Sequence, residues 1–331
     1  MMAWLKFDVH RPTVMLWVVL VVVMETVVMW SGGCCGAANS RPIIGVLTQP
    51  TTHSPSFQSF GRSYLPADYV KWLEAAGARV VPVDYGASKE HLRHLFESVN
   101  GILFTGGGLD LPESLYLRNS MLLYQWAIEA NNKGDHFPLW GTCQGFEMFA
   151  IIASGNDSVL GSFSGENLTL SLDFTSQARN SRMFGSLPAD VYETFAMKPI
   201  TQNLHHLGVS PQSFLENRGL GKAYAVLSVN KDTNGKIFVS SMEGKDYPFL
   251  ATQFHPERNA YEWDVNELMD HTAEGITAMQ WLARVFVEEA RQNNHRSRSV
   301  AEESKQLIYN VPVVYTADVN PSYEQTYFWS V

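Results

Sequence analysis

The chain has 331 residues, of which 45% are hydrophobic and 17% are charged, a composition typical of a globular protein with one large domain or two small ones. Its formal net charge is −9, and lysine and arginine form no run along the sequence. A nucleic-acid partner is therefore disfavoured, because proteins that bind phosphate backbones carry a basic patch.

A secretory signal peptide is predicted over residues 1–38. Lys6 and Arg11 precede an apolar run, residues 14–24, and small residues follow it, an order typical of signal peptides. The alternative is a signal anchor that stays in the membrane, but the run is shorter than the ~20 residues that a spanning helix needs. Cleavage would leave residues 39–331 as one domain with no membrane contact.

Cleavage would also decide how the three cysteines are interpreted. Cys34 and Cys35 lie inside the predicted signal peptide, so the mature chain would keep Cys143 alone. A lone cysteine in a secretory-pathway protein is either an intermolecular bridge or a reactive thiol. Two glycosylation sequons, at Asn156 and Asn167, agree with this compartment, and we expect both on surface loops.

Beyond residue 41, short β-rich runs alternate with amphipathic helices. Apolar strands followed by helices are typical of a parallel sheet with helices on both faces. We therefore predict an α/β fold, a three-layer sandwich with a mostly parallel central sheet, and a β-prone, aromatic tail after Leu307. The predicted strands are residues 42–47, 78–83, 101–108, 137–140, 236–242 and 248–254, and helices are predicted near 67–77, 92–99, 120–131 and 279–286.

The segment FPLWGTCQGFE, residues 137–147, has a pattern with chemical meaning. Cys143 lies between Gly141 and Gly145, in a strand–turn–helix arrangement like a nucleophile elbow with cysteine in place of serine. We expect Cys143 to sit exposed at the N-terminus of the following helix, where free N–H groups and the helix dipole stabilise a thiolate. The alternative is a small buried cysteine with a packing role, which would not require two flanking glycines.

A base for this thiol is predicted at His255, which directly follows an apolar strand in ATQFHPE. Glu257 is close enough in sequence to bond the imidazole and orient it, which completes a triad of nucleophile, base and orienting carboxylate. We expect the pair to lower the thiol pKa and to raise the imidazole pKa. The alternative is that His255 is an ordinary hydrogen-bonded loop histidine.

The combination of WGTCQGFE with a downstream QFHPE resembles the class I glutamine amidotransferase-like superfamily. More narrowly, the chain resembles the animal γ-glutamyl hydrolases, also called folylpoly-γ-glutamate hydrolases. The resemblance covers most of residues 41–315. The stretches that carry it, in this order, are RPIIGVLTQ, YVKWLEAAGARVVPV, NGILFTGGG, FPLWGTCQGFE, SRMF, SMEGKDYPFLATQFHPERNAYEW and EEARQNNH.

The resemblance implies a role for each matching residue. Cys143 would be the nucleophile, His255 the general base and acid, and Glu257 the orienting group, while the backbone N–H groups of Gly107 and Gln144 would form the oxyanion hole. The substrate-binding residues would be Tyr69, Glu147 and His205. Poly-γ-glutamate is polyanionic and the protein is net acidic, so local basic residues must bind the α-carboxylates, and Arg62 and Arg182 are the candidates. Glu147 could instead be a buried helix carboxylate bonded to a loop N–H. The adjacent histidines His205 and His206 suggest a metal site as an alternative. No second cysteine or spaced histidine cluster accompanies them, so neither a metal nor a cofactor is expected.

The implied activity is cleavage of γ-glutamyl bonds in folyl- and antifolate poly-γ-glutamates, by thiolate attack and hydrolysis of an acyl-enzyme. The resemblance also implies a homodimer, and a location in the lysosome and the extracellular space. Two alternatives stay open. One is a stand-alone glutaminase or related cysteine peptidase of the same fold. The other is a catalytically inactive binding protein, against which the joint presence of Cys143, His255 and Glu257 argues.

Overall fold

The computed structural model describes residues 38–112 and 114–330. The predicted signal peptide lies outside these residues except for Ala38, and so do Cys34 and Cys35. Their interpretation stays a prediction. None of the helices in the described ranges is both long and apolar enough to cross a membrane.

The described residues contain fourteen strands and ten α-helices. The strands are β1 (Ile43–Leu47), β2 (Gln49–Pro50), β3 (Ser63–Pro66), β4 (Arg79–Val83), β5 (Ile102–Phe104), β6 (Leu139–Thr142), β7 (Gly161–Leu170), β8 (Asp173–Phe174), β9 (Thr201–Gly208), β10 (Tyr224–Lys231), β11 (Ile237–Gly244), β12 (Phe249–Thr252), β13 (Val313–Tyr315) and β14 (Gln325–Trp329). The helices are α1 (Ala67–Ala75), α2 (Lys89–Phe96), α3 (Leu115–Asn132), α4 (Gln144–Ser154), α5 (Arg182–Gly185), α6 (Ala189–Met197), α7 (Pro211–Glu216), α8 (Arg218–Ala223), α9 (Ala273–Ala290) and α10 (Val300–Gln306).

Eight strands form the central sheet, in the order β4-β1-β5-β6-β12-β11-β10-β8. The first five strands of that order are mutually parallel, and the last three join antiparallel. Every residue of β1, β5, β6 and β12 is buried, as expected for parallel strands that are covered on both faces. The prediction of a mostly parallel sheet is confirmed.

Two hydrophobic clusters cover the two faces of this sheet. On one face, α2, α3 and α4 contribute Leu92, Tyr124 and Phe149. On the other face, α1, α6 and α9 contribute Trp72, Phe195 and Phe286. These side chains are almost completely buried, and burial of each stabilises the fold by ~1.5–3 kcal/mol. The three-layer arrangement is therefore confirmed.

Two smaller sheets extend the molecule beyond the central one. The β-prone tail forms β13 and β14, and β14 pairs with β3, in a sheet of order β13-β14-β3-β2. The second small sheet pairs β7 with β9. No strand was predicted from the sequence at β7 or at β9. Their residues pair across long sequence separations, which a local pattern does not report.

Candidate active site

Cys143 lies at a strained turn between β6 and α4. Its backbone has φ 51° and ψ −104°, a region that a non-glycine residue rarely adopts, and such strain costs ~1–3 kcal/mol unless the surroundings impose it. Here the Cys143 N–H donates a hydrogen bond of 2.8 Å to the carbonyl oxygen of Thr252 in the neighbouring strand β12. The elbow predicted from the sequence is therefore present, but the expectation that Cys143 sits exposed is wrong, because the residue is only 4% exposed.

The two glycines that flank Cys143 allow a close approach of backbones. A Cβ atom on Gly141 would lie 2.7 Å from the carbonyl carbon of Gly145, and one on Gly145 would lie 2.3 Å from the carbonyl oxygen of Phe104. Neither position has room for a side chain. The turn is tight because α4 starts directly above the strands β5 and β6.

His255 follows β12 and is held on both sides. Its N–H donates to the carbonyl oxygen of Gln202 at 2.9 Å, and its Nδ1 lies 2.6 Å from Oε1 of Glu257, which is 1% exposed. A Cβ atom on Gly106 would lie 2.7 Å from Cε1 of His255 and 3.3 Å from Cβ of Cys143. The imidazole and the thiol side chain therefore meet above the same glycine.

The charges of these groups depend on one another. Burial by itself lowers the pKa of His255, but the Glu257 carboxylate and the Cys143 thiolate together raise it to about 10. Burial raises the pKa of the Cys143 thiol above its usual value, and the His255 imidazolium only partly offsets this effect. The predicted rise for the imidazole is confirmed, and the predicted fall for the thiol is wrong because desolvation is the larger influence.

The glycine-rich turn after β5 lies beside Cys143, since a Cβ atom on Gly106 would lie 3.3 Å from the Cβ atom of Cys143. The N–H of Gly106 is used, since it donates to the hydroxyl of Tyr69 at 2.8 Å, which leaves the N–H of Gly107 as the donor next to it. The N–H of Gln144 belongs to the first turn of α4, where no intrahelical acceptor exists. Gln49, which the sequence analysis missed, donates from Nε2 to the Gly106 carbonyl oxygen at 3.0 Å and fixes the turn.

Tyr69 is 2% exposed, and its hydroxyl contacts the glycine turn. The structure therefore packs the hydroxyl of this predicted substrate-binding residue against Gly106, on the same side of that glycine as His255 and Cys143. Its contact with Gly106 fixes which N–H groups of the turn remain available.

Glu147 and His205 lie together in a chamber of about 220 Å³ beside Cys143. Burial raises the pKa of Glu147 to about 7, and its Oε1 accepts a hydrogen bond of 3.2 Å from Nε2 of Gln253. Burial lowers the pKa of His205 to about 4, so the ring is neutral near pH 7. Its Nδ1–H donates to the Leu207 carbonyl oxygen at 2.7 Å, while its buried Nε2 has no partner among the described residues.

A second chamber, of about 320 Å³, adjoins the first, and the two share Cys143. We call both chambers together the cleft. The second chamber is lined by Ser54, Tyr64, Gly107, Gly108, Cys143, Glu166, Leu204, His255, Arg258, Glu267, Asn320, Ser322 and Tyr323. A larger cavity of about 780 Å³ lies elsewhere, between Lys89 and Arg298, and contains none of the predicted site residues.

Tyr69 and Arg182 do not line the cleft, and neither does Arg62. The exposed guanidinium of Arg62 pairs with Asp84, with Nη2 and Oδ2 2.5 Å apart. The arginine that lines the cleft is Arg258, directly after Glu257. The sequence analysis missed it, although its position beside the HPE motif was a signal that could have found it.

The two sequon asparagines have different surroundings. Asn156 is exposed in a loop, and its Oδ1 accepts a hydrogen bond of 2.9 Å from the Ser158 N–H. Asn167 is half-buried within β7, which contradicts the expectation of a loop. Its Nδ2 donates to the Asn266 carbonyl oxygen at 3.0 Å, and its Oδ1 accepts from the Leu268 N–H at 2.5 Å. The side chain of Asn167 therefore fastens the 264–268 loop to β7.

Comparison with known protein families tests the resemblance to γ-glutamyl hydrolases. Residues 42–257 match the family model described as Peptidase C26. The chain belongs to the peptidase C26 family. Among curated proteins it is 39% identical over 307 residues to γ-glutamyl hydrolase of Homo sapiens, covering 89% of this chain and 95% of that protein. The family predicted from the sequence motifs is thus confirmed.

Similar curated proteins also occur in other organisms. γ-Glutamyl hydrolase B of Dictyostelium discoideum is 39% identical over 279 residues, which cover 84% of this chain and 80% of that protein. γ-Glutamyl hydrolase 1 of Arabidopsis thaliana is 33% identical over 295 residues, with coverage of 88% and 84%. Among solved structures, a glutamine amidotransferase from Thermotoga maritima aligns with a TM-score of 0.41 at 14% identity, covering 76% of this chain and 98% of that one.

Proposed function

We propose that this protein is a cysteine hydrolase that cleaves γ-glutamyl bonds of folyl- and antifolate poly-γ-glutamates. The observation that carries the proposal is a lone thiol on a strained elbow, Cys143, beside a His255–Glu257 pair, in a chain of the peptidase C26 family. The curated relatives are γ-glutamyl hydrolases, which disfavours the glutaminase alternative.

The proposed reaction starts when the pair of Cys143 and His255 loses one proton. The imidazolium stabilises a thiolate and the thiolate stabilises the imidazolium, so loss of one proton leaves an ion pair. The thiolate sulfur attacks the γ-carbonyl carbon of a glutamyl residue and forms a tetrahedral oxyanion. The C–N bond then breaks, and His255 gives its proton to the departing amine.

Water completes the proposed cycle. The neutral imidazole of His255 takes a proton from a water molecule, whose oxygen attacks the thioester carbon. The C–S bond breaks, and the products are a free γ-carboxylate and the Cys143 thiolate beside the imidazolium. Glu257 holds Nδ1–H through both steps, so Nε2 is the atom that accepts and donates the proton.

The N–H groups of Gly107 and Gln144 are the proposed donors to the oxyanion. Two features support this assignment: Gly106 is already used by Tyr69, and Gln144 begins α4. A backbone donor that is fixed before the reaction gains more from the developing charge than water would, and one such donor contributes ~10²–10³-fold to the rate. Glu147 and His205 are proposed to contact polar groups of the bound glutamyl chain from the smaller chamber.

The test of this function is product analysis by mass spectrometry. The purified protein is incubated with pteroylpenta-γ-glutamate and, separately, with glutamine. We expect shortened pteroyl-γ-glutamates together with free glutamate or γ-glutamyl peptides, and much slower release of ammonia from glutamine. Ammonia release from glutamine that exceeds peptide cleavage would contradict the proposal in favour of a glutaminase.

We also propose that the mature chain starts near Asn39, reaches the lysosome and the extracellular space, and forms a homodimer. The start and location rest on the signal-peptide pattern and the sequons, and the dimer rests on the family resemblance. N-terminal sequencing of secreted protein, cell fractionation and sedimentation velocity test the three parts separately.

A further inference from the structure

The cleft must bind an anionic substrate, yet only one lysine or arginine lines it. Among the described residues around both chambers, that residue is Arg258. The histidines do not supply a free positive charge there. His205 has a pKa of about 4, His206 pairs with Glu166 at 2.8 Å, and the charge of His255 is held by Glu257.

The guanidinium of Arg258 is fixed in position on one side. Its Nε donates to Oε1 of Gln202 at 2.9 Å, and its Nη2 donates to Oε2 of Glu267 at 2.6 Å and to the carbonyl oxygen of Ser322 at 2.9 Å. Ser322 Oγ also donates to Oε1 of Glu267 at 2.7 Å. With these three hydrogen bonds made by its own nitrogens, the planar guanidinium cannot rotate without breaking several of them.

The remaining nitrogen, Nη1, has no partner among the described residues. The side chain of Arg258 is only 2% exposed, and the surface that it keeps belongs to the cleft. A buried arginine normally uses its donors, because an unpaired one loses its hydration without compensation. The free Nη1 donors therefore suit an anionic group that arrives with the substrate, and a guanidinium matches a carboxylate in shape and charge.

We propose that Arg258 is a specificity-determining residue that binds the α-carboxylate of the glutamyl residue acylated on Cys143, with Glu267 orienting the guanidinium. This inference rests on the proposed function. A γ-glutamyl residue carries its α-carboxylate at the end opposite to the scissile carbonyl, so the two groups need separate sites within one cleft. Arg258 and Cys143 both line the larger chamber. The assignment explains why a protein of net charge −9 accepts an anionic chain.

The test compares three substrates of one length. The first is a γ-glutamyl dipeptide derivative with both α-carboxylates free. In the second the donor α-carboxylate is a carboxamide, and in the third the carboxamide is on the leaving glutamate. Wild-type protein is expected to prefer the first over the second. Failure of wild type to hydrolyse even the first would contradict the proposed function itself, and the inference with it.

Two variants test the residue. Arg258→Lys keeps the charge but loses the fork, and the double variant Arg258→Gln with Glu267→Gln removes both charges, so that no buried carboxylate is left unpaired. Each is expected to reduce the preference for a donor carboxylate by about 10–100-fold, chiefly through KM, as for loss of one charge-assisted hydrogen bond. Arg79→Lys, which disturbs the Arg79–Glu303 pair away from the cleft, is the matched control and should leave the preference unchanged.

Three results would overturn the assignment. The first is a wild-type protein that hydrolyses the donor carboxamide as well as the carboxylate. The second is an equal loss with both substrates in the Arg258 variants, which would indicate a structural role only. The third is a preference that changes for the leaving-group carboxamide and not for the donor, which would place Arg258 at the other side of the scissile bond.

Discussion

The floor and the wall of the cleft are built in different ways. The floor, which we define as Gly106, Gly107, Cys143 and His255, is attached to the ends of parallel strands by backbone contacts, such as the Cys143 N–H to the Thr252 carbonyl oxygen. The wall is defined as β7, β9, the 264–268 loop and residues 320–323. Its strands β7 and β9 pair through their backbones, but side chains hold its loop: Arg258 contacts Glu267, and Asn167 contacts Asn266 and Leu268.

From this difference we expect substitutions in the floor to change the chemistry and substitutions in the wall to change the choice of substrate. Floor geometry follows from backbone hydrogen bonds that a substitution of Cys143 or His255 leaves intact, so a variant at either residue removes a reacting group and little else. Gly106 and Gly107 are different, because an added Cβ atom there would lie 2.7 Å from another side chain. Wall geometry depends on particular side chains, so a variant there moves a binding surface. We expect floor variants to lower kcat and wall variants to raise KM.

The largest effect is expected from Cys143→Ala. Without the sulfur no acyl-enzyme forms, so hydrolysis should fall by at least about 10⁴-fold, while the free energy of unfolding stays nearly unchanged because alanine fills the same turn. Product formation by mass spectrometry and thermal unfolding measure the two parts. Activity retained above about 1% of wild type, with an intact fold, would remove Cys143 from the mechanism.

The next effect concerns Glu257→Gln, which keeps the shape of the side chain and removes its charge. The Glu257 carboxylate is one of the two groups, with the Cys143 thiolate, that raise the His255 pKa to about 10 against burial, so loss of the carboxylate lowers that pKa. The alkaline limb of kcat/KM should move from near pH 10 to lower pH, with kcat reduced by ~10²–10⁴-fold. An alkaline limb that stays in place would mean that another group sets the imidazole charge.

Glu147→Gln should change stability in a pH-dependent way. Burial raises the folded pKa of Glu147 from 4.5 to about 7, so the folded protein binds more protons than the unfolded chain between these values. Stability of the wild type is therefore lost as pH rises from 4.5 to 7, by about 3 kcal/mol. Glutamine has no titrating carboxyl group, so the free energy of unfolding of the variant should exceed that of wild type by an amount that grows from pH 4.5 to pH 7. Urea unfolding at pH 4.5 and pH 8 measures it, and a pH-independent difference would contradict the burial argument.

The smallest effect is expected on KM from substitutions around Asn167, which show whether a glycan or a hydrogen bond acts at the wall. Asn167→Ala removes both hydrogen bonds to the 264–268 loop and should raise KM by about 3- to 10-fold, the effect of one or two ordinary hydrogen bonds. Thr169→Ala destroys the same sequon but keeps Asn167, and should leave KM unchanged. Glycopeptide mapping should find Asn156 occupied and Asn167 unmodified. Equal KM changes in both variants would point to a glycan and not to the loop contact.

The same contrast explains how much the sequence could predict. Six strands of the central sheet and the elbow were predictable because apolar strands, glycines and the HPE motif are local patterns, and strand ends meet at one edge of a parallel sheet. Two further strands of that sheet, β8 and β10, were not predicted. The β7–β9 pair and the loop contact of Asn167 were not, because they depend on residues far apart in sequence. The thiol pKa was predicted in the wrong direction because burial of Cys143 cannot be read from its neighbours.

Covalent catalysis by Cys143 is tested directly by intact-protein mass spectrometry. Wild type and Cys143→Ala are quenched with acid during turnover of a pteroyl-γ-glutamate, and their masses are compared. Wild type is expected to carry an adduct with the mass of the acyl part of the substrate. Peptide mapping should assign this adduct to Cys143, and hydroxylamine should remove it, as expected for a thioester. The Cys143→Ala protein should carry none. A wild-type protein that hydrolyses the substrate without any adduct on Cys143, or an equal adduct on both proteins, would contradict covalent catalysis by this thiol.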